Sequence, residues 1–274
     1  DFCLSRGLGD VYKRQIMASQ VFDFKGPKGY RLSGRIEGPE APHAWAIFAH
    51  CFTCGKDSLA ATRTTRALGA LGVGVLRFDF AGLGASQGKF GDSTFAADVA
   101  DLVAAGQAMT AADKEPSLLI GHSLGGAASL MAAGMMPNIR AVVTIGSPYD
   151  LKHVLHQFDP AALEKIEADG EAEVHLAGRP FFVRKDLINA LRENDLHSHI
   201  ATLKRPLLVM HAPGDDTVYV ENASRIFAAA KHPKSFISLD DADHLLTQRR
   251  DADYVADLIT AWSSRYLSLK GNAS

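Results

Sequence analysis

Three side chains that together can activate a hydroxyl group occur at separate positions of the sequence: Ser123, Asp215 and His244. A serine hydroxyl is a weak nucleophile until a neutral imidazole accepts its proton, and the same imidazole can later protonate a leaving group. A carboxylate fixes the tautomer of that imidazole and stabilises its cationic form. The three residues therefore predict acyl transfer through a covalent intermediate on Ser123, if the fold brings them together.

Ser123 lies in a Gly-His-Ser-Leu-Gly sequence, which has the G-x-S-x-G pattern of a nucleophile elbow. An apolar strand pattern at 117–120 precedes it, and an alanine-rich helix pattern at 127–133 follows it. The pattern predicts a sharp strand-to-helix turn, where the two glycines let neighbouring chain approach closely. The alternative is a serine that only caps an ordinary helix, and the motif by itself leaves this alternative open.

The candidate acid and base follow two later strand patterns. Asp215 and Asp216 come after one of them, and His244 is the one histidine of eleven in the loop after the last strand. Because the carboxyl ends of parallel strands meet at one edge of a sheet, we predict that Ser123, one of the two aspartates and His244 converge there. His122 is adjacent to Ser123 and its ring should point away along the elbow, so we predict a packing role for it.

The rest of the chain supplies elements that could position these residues. Apolar runs alternate with helical patterns, which predicts an α/β fold with a mostly parallel eight-stranded sheet and helices on both faces. Residues 147–205 interrupt this alternation, and an excursion of this length is usually a functional lid. We predict that it covers Ser123. Apolar residues that either line the substrate pocket or pack the lid onto the body are Phe158, Leu176, Phe181 and Phe182.

The predicted hydrolase core has two parts, 17–146 and 206–267, on either side of the lid. The segment 1–16 does not match the rest, because its Asp-Val-Tyr-Lys-Arg-Gln run looks like a translated sequencing adapter. We therefore expect a non-native tail there, with a genuine tail as the alternative. A short polar tail at 268–274 ends the sequence.

Composition limits the classes of function. The 274 residues carry a formal net charge of −2, which gives no electrostatic reason to expect nucleic acid or a membrane as partner. No run of eighteen apolar residues predicts a transmembrane span, and no signal peptide is recognisable. We expect a cytoplasmic protein. No phosphate-binding glycine motif occurs, so we expect no nucleotide cofactor. We expect no other cofactor and no metal either.

Cys51 and Cys54 form a C-x-x-C pair before a predicted helix. This spacing can lower a thiol pKa and allow redox chemistry, so a redox accessory module is an alternative to an enzyme. The interpretation that we favour is two small, half-buried, reduced side chains that shape the turn. Two cysteines cannot complete a tetrahedral zinc site by themselves.

From about residue 18 to residue 267 the sequence resembles α/β-hydrolases of the serine aminopeptidase and lipase-like group. More narrowly, it is similar to the hydrolase half of proteins fused to an OsmC-type organic-hydroperoxide reductase. This likeness implies a functional link to such a reductase, and it leaves open whether the native gene continues into that domain. The segments that carry it, besides the elbow, are 48–54, 77–80, 211–213 and 240–246.

The resemblance implies a serine hydrolase that cleaves an ester or thioester of a small molecule. Val218 stands three residues after Asp215, as in the family's D-x-x-V pattern, and this selects Asp215 over Asp216 as the acid. Fold does not determine the substrate. Perhydrolase chemistry, in which peroxide replaces water on the same three residues, is a further alternative.

The resemblance also implies the oxyanion hole. In α/β-hydrolases a His-Gly-type motif follows the strand that ends here near residue 49, and a backbone N–H of that turn binds the oxyanion. By position, Phe52 supplies this N–H and Leu124 supplies the second. His50 and Cys51 then lie beside the substrate. Cys51 stands where glycine is usual in the family, which affects the backbone angle of the turn.

Overall fold

The protein is described from a computed structural model, whose described residues are 18–51, 53–176, 178–193 and 195–267. The two tails predicted at 1–16 and 268–274 lie outside this part of the chain. So does Phe52, the predicted oxyanion donor.

Strands and helices alternate along the chain. The strands are β1 (Ala18–Val21), β2 (Phe24–Lys25), β3 (Arg31–Leu32), β4 (Gly34–Gly38), β5 (Ala44–Ala49), β6 (Val73–Phe78), β7 (Leu118–His122), β8 (Ala141–Ile145), β9 (Glu171–Leu176), β10 (Arg179–Arg184), β11 (Leu207–His211) and β12 (Lys234–Ser238). The helices are α1 (Leu59–Ala70), α2 (Phe95–Ala111), α3 (Leu124–Ala132), α4 (Pro160–Asp169), α5 (Lys185–Glu193), α6 (Leu196–Ala201), α7 (Glu221–Ala229) and α8 (Arg249–Leu267). Short 3₁₀ turns occur at Phe90–Asp92, Ala133–Met135 and Leu151–Gln157.

Eight of the strands form one sheet in the order β1-β4-β6-β5-β7-β8-β11-β12. Strand β4 pairs antiparallel with β1 and with β6, and every neighbouring pair from β6 to β12 is parallel. The predicted mostly parallel, eight-stranded sheet is therefore confirmed. Parallel neighbours need crossover connections, and α1, α2, α3 and α7 provide them.

Apolar side chains on both faces bury this sheet. In β7, Leu118 and Ile120 join the cluster under α1 and α8, whereas Leu119 joins the cluster under α2 and α3. All three are 0 % exposed. Because successive side chains of a strand point to opposite faces, a strand that is covered on both sides is apolar at nearly every position.

Helix α2 begins at Phe95. Thr94 is the N-cap, and its side chain accepts a hydrogen bond from the amide of Ala97 at 3.2 Å. Ser93 instead donates its hydroxyl proton to Asp98, and Asp92 belongs to the preceding 3₁₀ turn.

The segment between β8 and β11 stands apart from the sheet. Its strands among the described residues, β9 and β10, pair with each other and with no strand of the large sheet. Apolar residues of this segment join the cluster under α2 and α3. It therefore lies on that side of the molecule.

Candidate active site

Ser123 lies at the turn between β7 and α3. Its φ of 55° and ψ of −126° fall in a region that residues with a side chain seldom occupy, and this costs about 1–3 kcal/mol. Two backbone hydrogen bonds hold it there: its amide donates to the carbonyl of Ile145, and its carbonyl accepts from the amide of Gly126, both at 2.8 Å. The turn directs the hydroxyl to the carboxyl edge of the sheet.

The glycines on either side of Ser123 are needed because backbone approaches both. A β-carbon on Gly121 would lie 2.2 Å from the carbonyl oxygen of Gly125. One on Gly125 would lie 2.3 Å from the carbonyl oxygen of Ala49. A side chain at either position would push α3 away from the sheet. The steric reason inferred from the motif is therefore visible in the structure.

The structure brings Ser123, Asp215 and His244 together. His244 Nε2 lies 3.1 Å from Ser123 Oγ, and His244 Nδ1 lies 2.7 Å from Asp215 Oδ2. A carboxylate can only accept, so Nδ1 carries the proton and donates it to Asp215. Nε2 is then free to accept the serine proton. This is the arrangement that proton transfer from Ser123 to His244 requires.

Backbone amides hold Asp215 in place. Its Oδ1 accepts hydrogen bonds from the amides of Thr217 at 2.9 Å and Val218 at 2.8 Å. Burial raises the pKa of Asp215, but hydrogen bonds from His211, His244 and the Val218 amide outweigh burial and hold the pKa well below its usual range. Asp216 is exposed. The structure thus places Asp215, and not Asp216, against His244.

His122 has a role that sequence reasoning missed. Its Nε2 lies 2.6 Å from the backbone carbonyl oxygen of His244 and donates to it. Burial, with a contribution from nearby His244, lowers the pKa of His122 to about 3, so the ring is neutral near pH 7. The predicted packing role is therefore incomplete, because His122 also orients His244. The contact spans 122 positions of sequence, and no local signal indicates it.

Leu124 is the first residue of α3. The first amides of a helix have no partner within the helix, and the positive end of the helix dipole lies there. The Leu124 N–H is thus available to an oxyanion formed next to Ser123.

Cys51 and Cys54 are joined by a disulfide, with their Cα atoms 5.4 Å apart. The prediction of two reduced side chains is wrong. The turn after β5 brings them together, since the Cys54 amide donates to the Cys51 carbonyl at 3.1 Å and Thr53 has a φ of 58°. The disulfide therefore closes the turn in which Phe52 is the predicted oxyanion donor.

A small cavity of about 20 Å³ adjoins this turn. It lies between the turn after β5, helix α2 and helix α3. The predicted pocket residues His50 and Cys51 line it, beside Leu124. The other residues of its wall are Phe80, Ala81, Leu83, Phe90, Asp98, Gly125 and Ala128.

The four predicted pocket residues of the lid have different positions. Phe158 and Leu176 are 4 % and 1 % exposed within the cluster under α2 and α3, which favours the alternative that they pack the insertion onto the body. Phe182 is 54 % exposed, and its role as pocket wall stays a prediction. The side chain of Phe181 lies on the face of β10 opposite to Phe182, because neighbouring residues of a strand face opposite sides. Its ring centroid lies 4.7 Å from that of Phe90, which lines the cavity.

Comparison with known proteins identifies the family. A sequence model described as the Alpha/beta hydrolase family matches residues 46–258, a span that contains Ser123, Asp215 and His244. The chain belongs to the alpha/beta hydrolase family. The predicted superfamily is confirmed, and the link with an OsmC-type reductase stays a prediction.

Several proteins are similar to this alpha/beta hydrolase. The esterase domain of a Rhodothermus marinus protein is 45 % identical, with a TM-score of 0.75 over 92 % of this chain and 100 % of that domain. Est1E from Butyrivibrio proteoclasticus, bound to ferulic acid, shares the fold at 19 % identity, with a TM-score of 0.77 over 90 % and 99 % of the two chains. An uncharacterised Rickettsia prowazekii protein is 26 % identical over 191 residues, 65 % of this chain and 75 % of that protein. Family and esterase neighbours together support a hydrolase.

None of the helices described is long and apolar enough to cross a membrane. The described part of the chain also holds no cluster of three or more His, Cys, Asp and Glu side chains positioned to bind a metal ion. The cytoplasmic location stays a prediction.

Buried charges anchor the turn that follows β5 in this alpha/beta hydrolase. Asp79 accepts from the Lys56 amide at 2.6 Å and from Lys56 Nζ at 2.7 Å, and also from the Ala85 amide at 2.9 Å. The hydroxyl of Ser86 donates to the Asp79 carbonyl at 2.5 Å. These hydrogen bonds make the glycine-containing segment from Asp79 to Ser86 a structural turn.

Replacing Asp79 with alanine should lower the free energy of unfolding by about 3–5 kcal/mol, because the ammonium of Lys56 stays buried without its partner. Asp253→Ala is the control. Its carboxylate also pairs with a cation, Arg249, at 3.5 Å, but both side chains are largely exposed, so we expect a loss of at most about 1 kcal/mol. Urea unfolding of both variants measures the difference. Equal losses of unfolding free energy in the two variants would contradict the role of the buried ion pair.

Proposed function

We propose that this protein is a serine hydrolase that cleaves a carboxylic ester or a thioester through an acyl-enzyme on Ser123. The observation that carries the proposal is the position of His244, with Nε2 at 3.1 Å from Ser123 Oγ and Nδ1 at 2.7 Å from Asp215. The 45 % identity with a domain named as an esterase supports the ester as substrate.

The geometry supports the following steps. As Ser123 Oγ attacks the carbonyl carbon, His244 Nε2 takes its proton, and Asp215 stabilises the imidazolium that results. The negative charge that develops on the carbonyl oxygen is bound by the Leu124 N–H and by the predicted donor Phe52. His244 then protonates the departing alkoxide or thiolate. In the second half, His244 removes a proton from water, which attacks the acyl-enzyme and releases the acid.

The disulfide between Cys51 and Cys54 favours one competing function, a thiol–disulfide exchange module. The two functions depend on different residues. Our proposal predicts that a fluorophosphonate probe labels the protein, that labelling and ester hydrolysis disappear in Ser123→Ala, and that hydrolysis persists when both cysteines are replaced by serine. Disulfide exchange that persists in Ser123→Ala, without labelling of the wild type, would favour the redox module. The perhydrolase alternative stays a prediction.

We infer that the insertion between β8 and β11 covers the acyl site. Two contacts support this: the guanidinium of Arg179 donates to the backbone carbonyl of Thr53, and the ring of Phe181 packs on Phe90. Arg179 thereby reaches the turn after β5, and Phe181 stands behind the wall of the cavity.

Phe181→Ala should shift the preferred acyl chain towards longer chains, because the space behind Phe90 becomes available to the substrate. Each additional buried methylene is worth about 0.8 kcal/mol, or about fourfold in kcat/KM. Phe182→Ala is the matched control, since this neighbouring ring faces solvent. The measurement is kcat/KM for esters from acetate to octanoate. An unchanged profile in Phe181→Ala would place the acyl site elsewhere.

A further inference from the structure

We propose that the cavity beside Leu124 receives a short acyl chain that ends in a hydrogen-bond donor, a hydroxyl or an ammonium group, and that Asp98 and His50 bind this group. The inference rests on the proposed function, because it assigns the cavity to the acyl part of a substrate of Ser123.

The cavity touches both parts of the predicted oxyanion hole. Cys51 belongs to the turn after β5, and Leu124 directly follows Ser123. A carbonyl oxygen bound between these two elements would leave its acyl chain close to the cavity. A volume of about 20 Å³ slightly exceeds the space that one water molecule needs. The cavity therefore fits a small terminal group and excludes a long chain.

His50 presents an acceptor that no described protein atom satisfies. Its Nδ1 lies 2.8 Å from the carbonyl oxygen of Cys51, and a carbonyl only accepts, so Nδ1 carries the hydrogen. Burial lowers the pKa of His50, which keeps the ring neutral and leaves Nε2 as an acceptor. Nε2 is buried and has no hydrogen-bond partner among the described residues. A ligand that donates a hydrogen bond would give Nε2 the partner that it lacks.

Asp98 lines the same cavity from helix α2. Its Oδ1 accepts from the hydroxyl of Ser93 at 3.1 Å. Burial, followed by the charge of Asp101 one turn later, raises the pKa of Asp98 to about 7. Near pH 7 the carboxyl group therefore offers an acceptor oxygen whether or not it is ionised. Two residues that line this mostly apolar cavity, His50 and Asp98, thus carry acceptor atoms, and a terminal methyl group would satisfy neither.

Three methyl esters of equal length test the proposal: methyl butanoate, methyl 3-hydroxypropanoate and methyl 3-aminopropanoate. They end in a methyl, a hydroxyl and an ammonium group. We expect the wild type to have a kcat/KM at least about tenfold higher for one of the two donor esters than for the butanoate. Asp98→Leu should abolish this preference. Asp98→Asn should retain a preference for the hydroxyl and lose one for the ammonium group, which distinguishes the two donors.

Gln107→Leu is the control for a polar-to-leucine change on this helix. Gln107 lies on α2, is exposed and lines a different cavity. The ratios of kcat/KM between the three esters should be the same in this variant as in the wild type. A wild type that prefers the butanoate, or a donor preference that survives Asp98→Leu, would overturn this inference but not the proposed function. Equal hydrolysis of these esters by Ser123→Ala would overturn both the inference and the proposed function.

Discussion

Replacing Ser123 or His244 with alanine should lower kcat for ester hydrolysis by about 10⁶-fold. Without Ser123 no acyl-enzyme can form, and without His244 the hydroxyl keeps its proton at neutral pH. Because both groups act in one step, the double variant should lose little more than either single variant. The measurement is kcat under saturating substrate, with folding checked by circular dichroism.

Ser129→Ala is a matched control for Ser123→Ala. Ser129 is also buried on α3, but its hydroxyl donates to the carbonyl of Gly125 at 2.7 Å, within the helix. This variant should keep kcat within about threefold, since it removes an ordinary side-chain to backbone hydrogen bond of the kind worth about 1 kcal/mol. Near-native turnover in Ser123→Ala or in His244→Ala would refute the mechanism.

The parts of the fold that sequence predicts well are those that depend on local pattern. A strand covered on both faces is a nearly continuous apolar run, as β7 is up to Gly121, and this marks the central strands without any knowledge of their neighbours. The elbow is equally local, because the steric need for Gly121 and Gly125 arises within a few residues of Ser123 and from the adjacent strand. Such features follow from the order of residue types alone.

Contacts between distant segments could not be predicted in the same way. The hydrogen bond from His122 to the His244 carbonyl depends on where the last loop lies, and no pattern around His122 encodes that position. The faces of Phe181 and Phe182 depend on how the β9–β10 hairpin sits against the body. Alternation assigns them to opposite sides, but it does not say which side is the inner one.

The disulfide and the buried charges show a second limit. The sequence presents Cys51 and Cys54 three positions apart, and their joining depends on the backbone of the turn, including the positive φ of Thr53. In the sequence, Lys56 and Asp79 are two charged residues in separate loops. Only the packing of both loops against the sheet makes them a buried ion pair, with Lys56 Nζ at 2.7 Å from Asp79 Oδ2.

Asp215→Asn should lower kcat by about 10⁴-fold with little change in the fold. The asparagine oxygen can still accept from the amides of Thr217 and Val218, which now bind Oδ1 of Asp215. Its amide nitrogen, however, would donate to His244 Nδ1. This places the imidazole proton on Nε2, facing Ser123, so the ring can no longer accept the serine proton. The measurement is kcat together with the melting temperature.

Asp216→Asn is the control that separates the two neighbouring carboxylates. Asp216 is exposed, and its Oδ1 accepts from the Thr217 hydroxyl at 3.3 Å, away from His244. We expect kcat within about threefold of the wild type, because a change at an exposed carboxylate is worth less than about 1 kcal/mol. A large loss in Asp216→Asn with normal turnover in Asp215→Asn would reverse the assignment of the acid. Comparable losses in both would mean that the net charge of the loop, and not the hydrogen bond to Nδ1, supports the imidazole of His244.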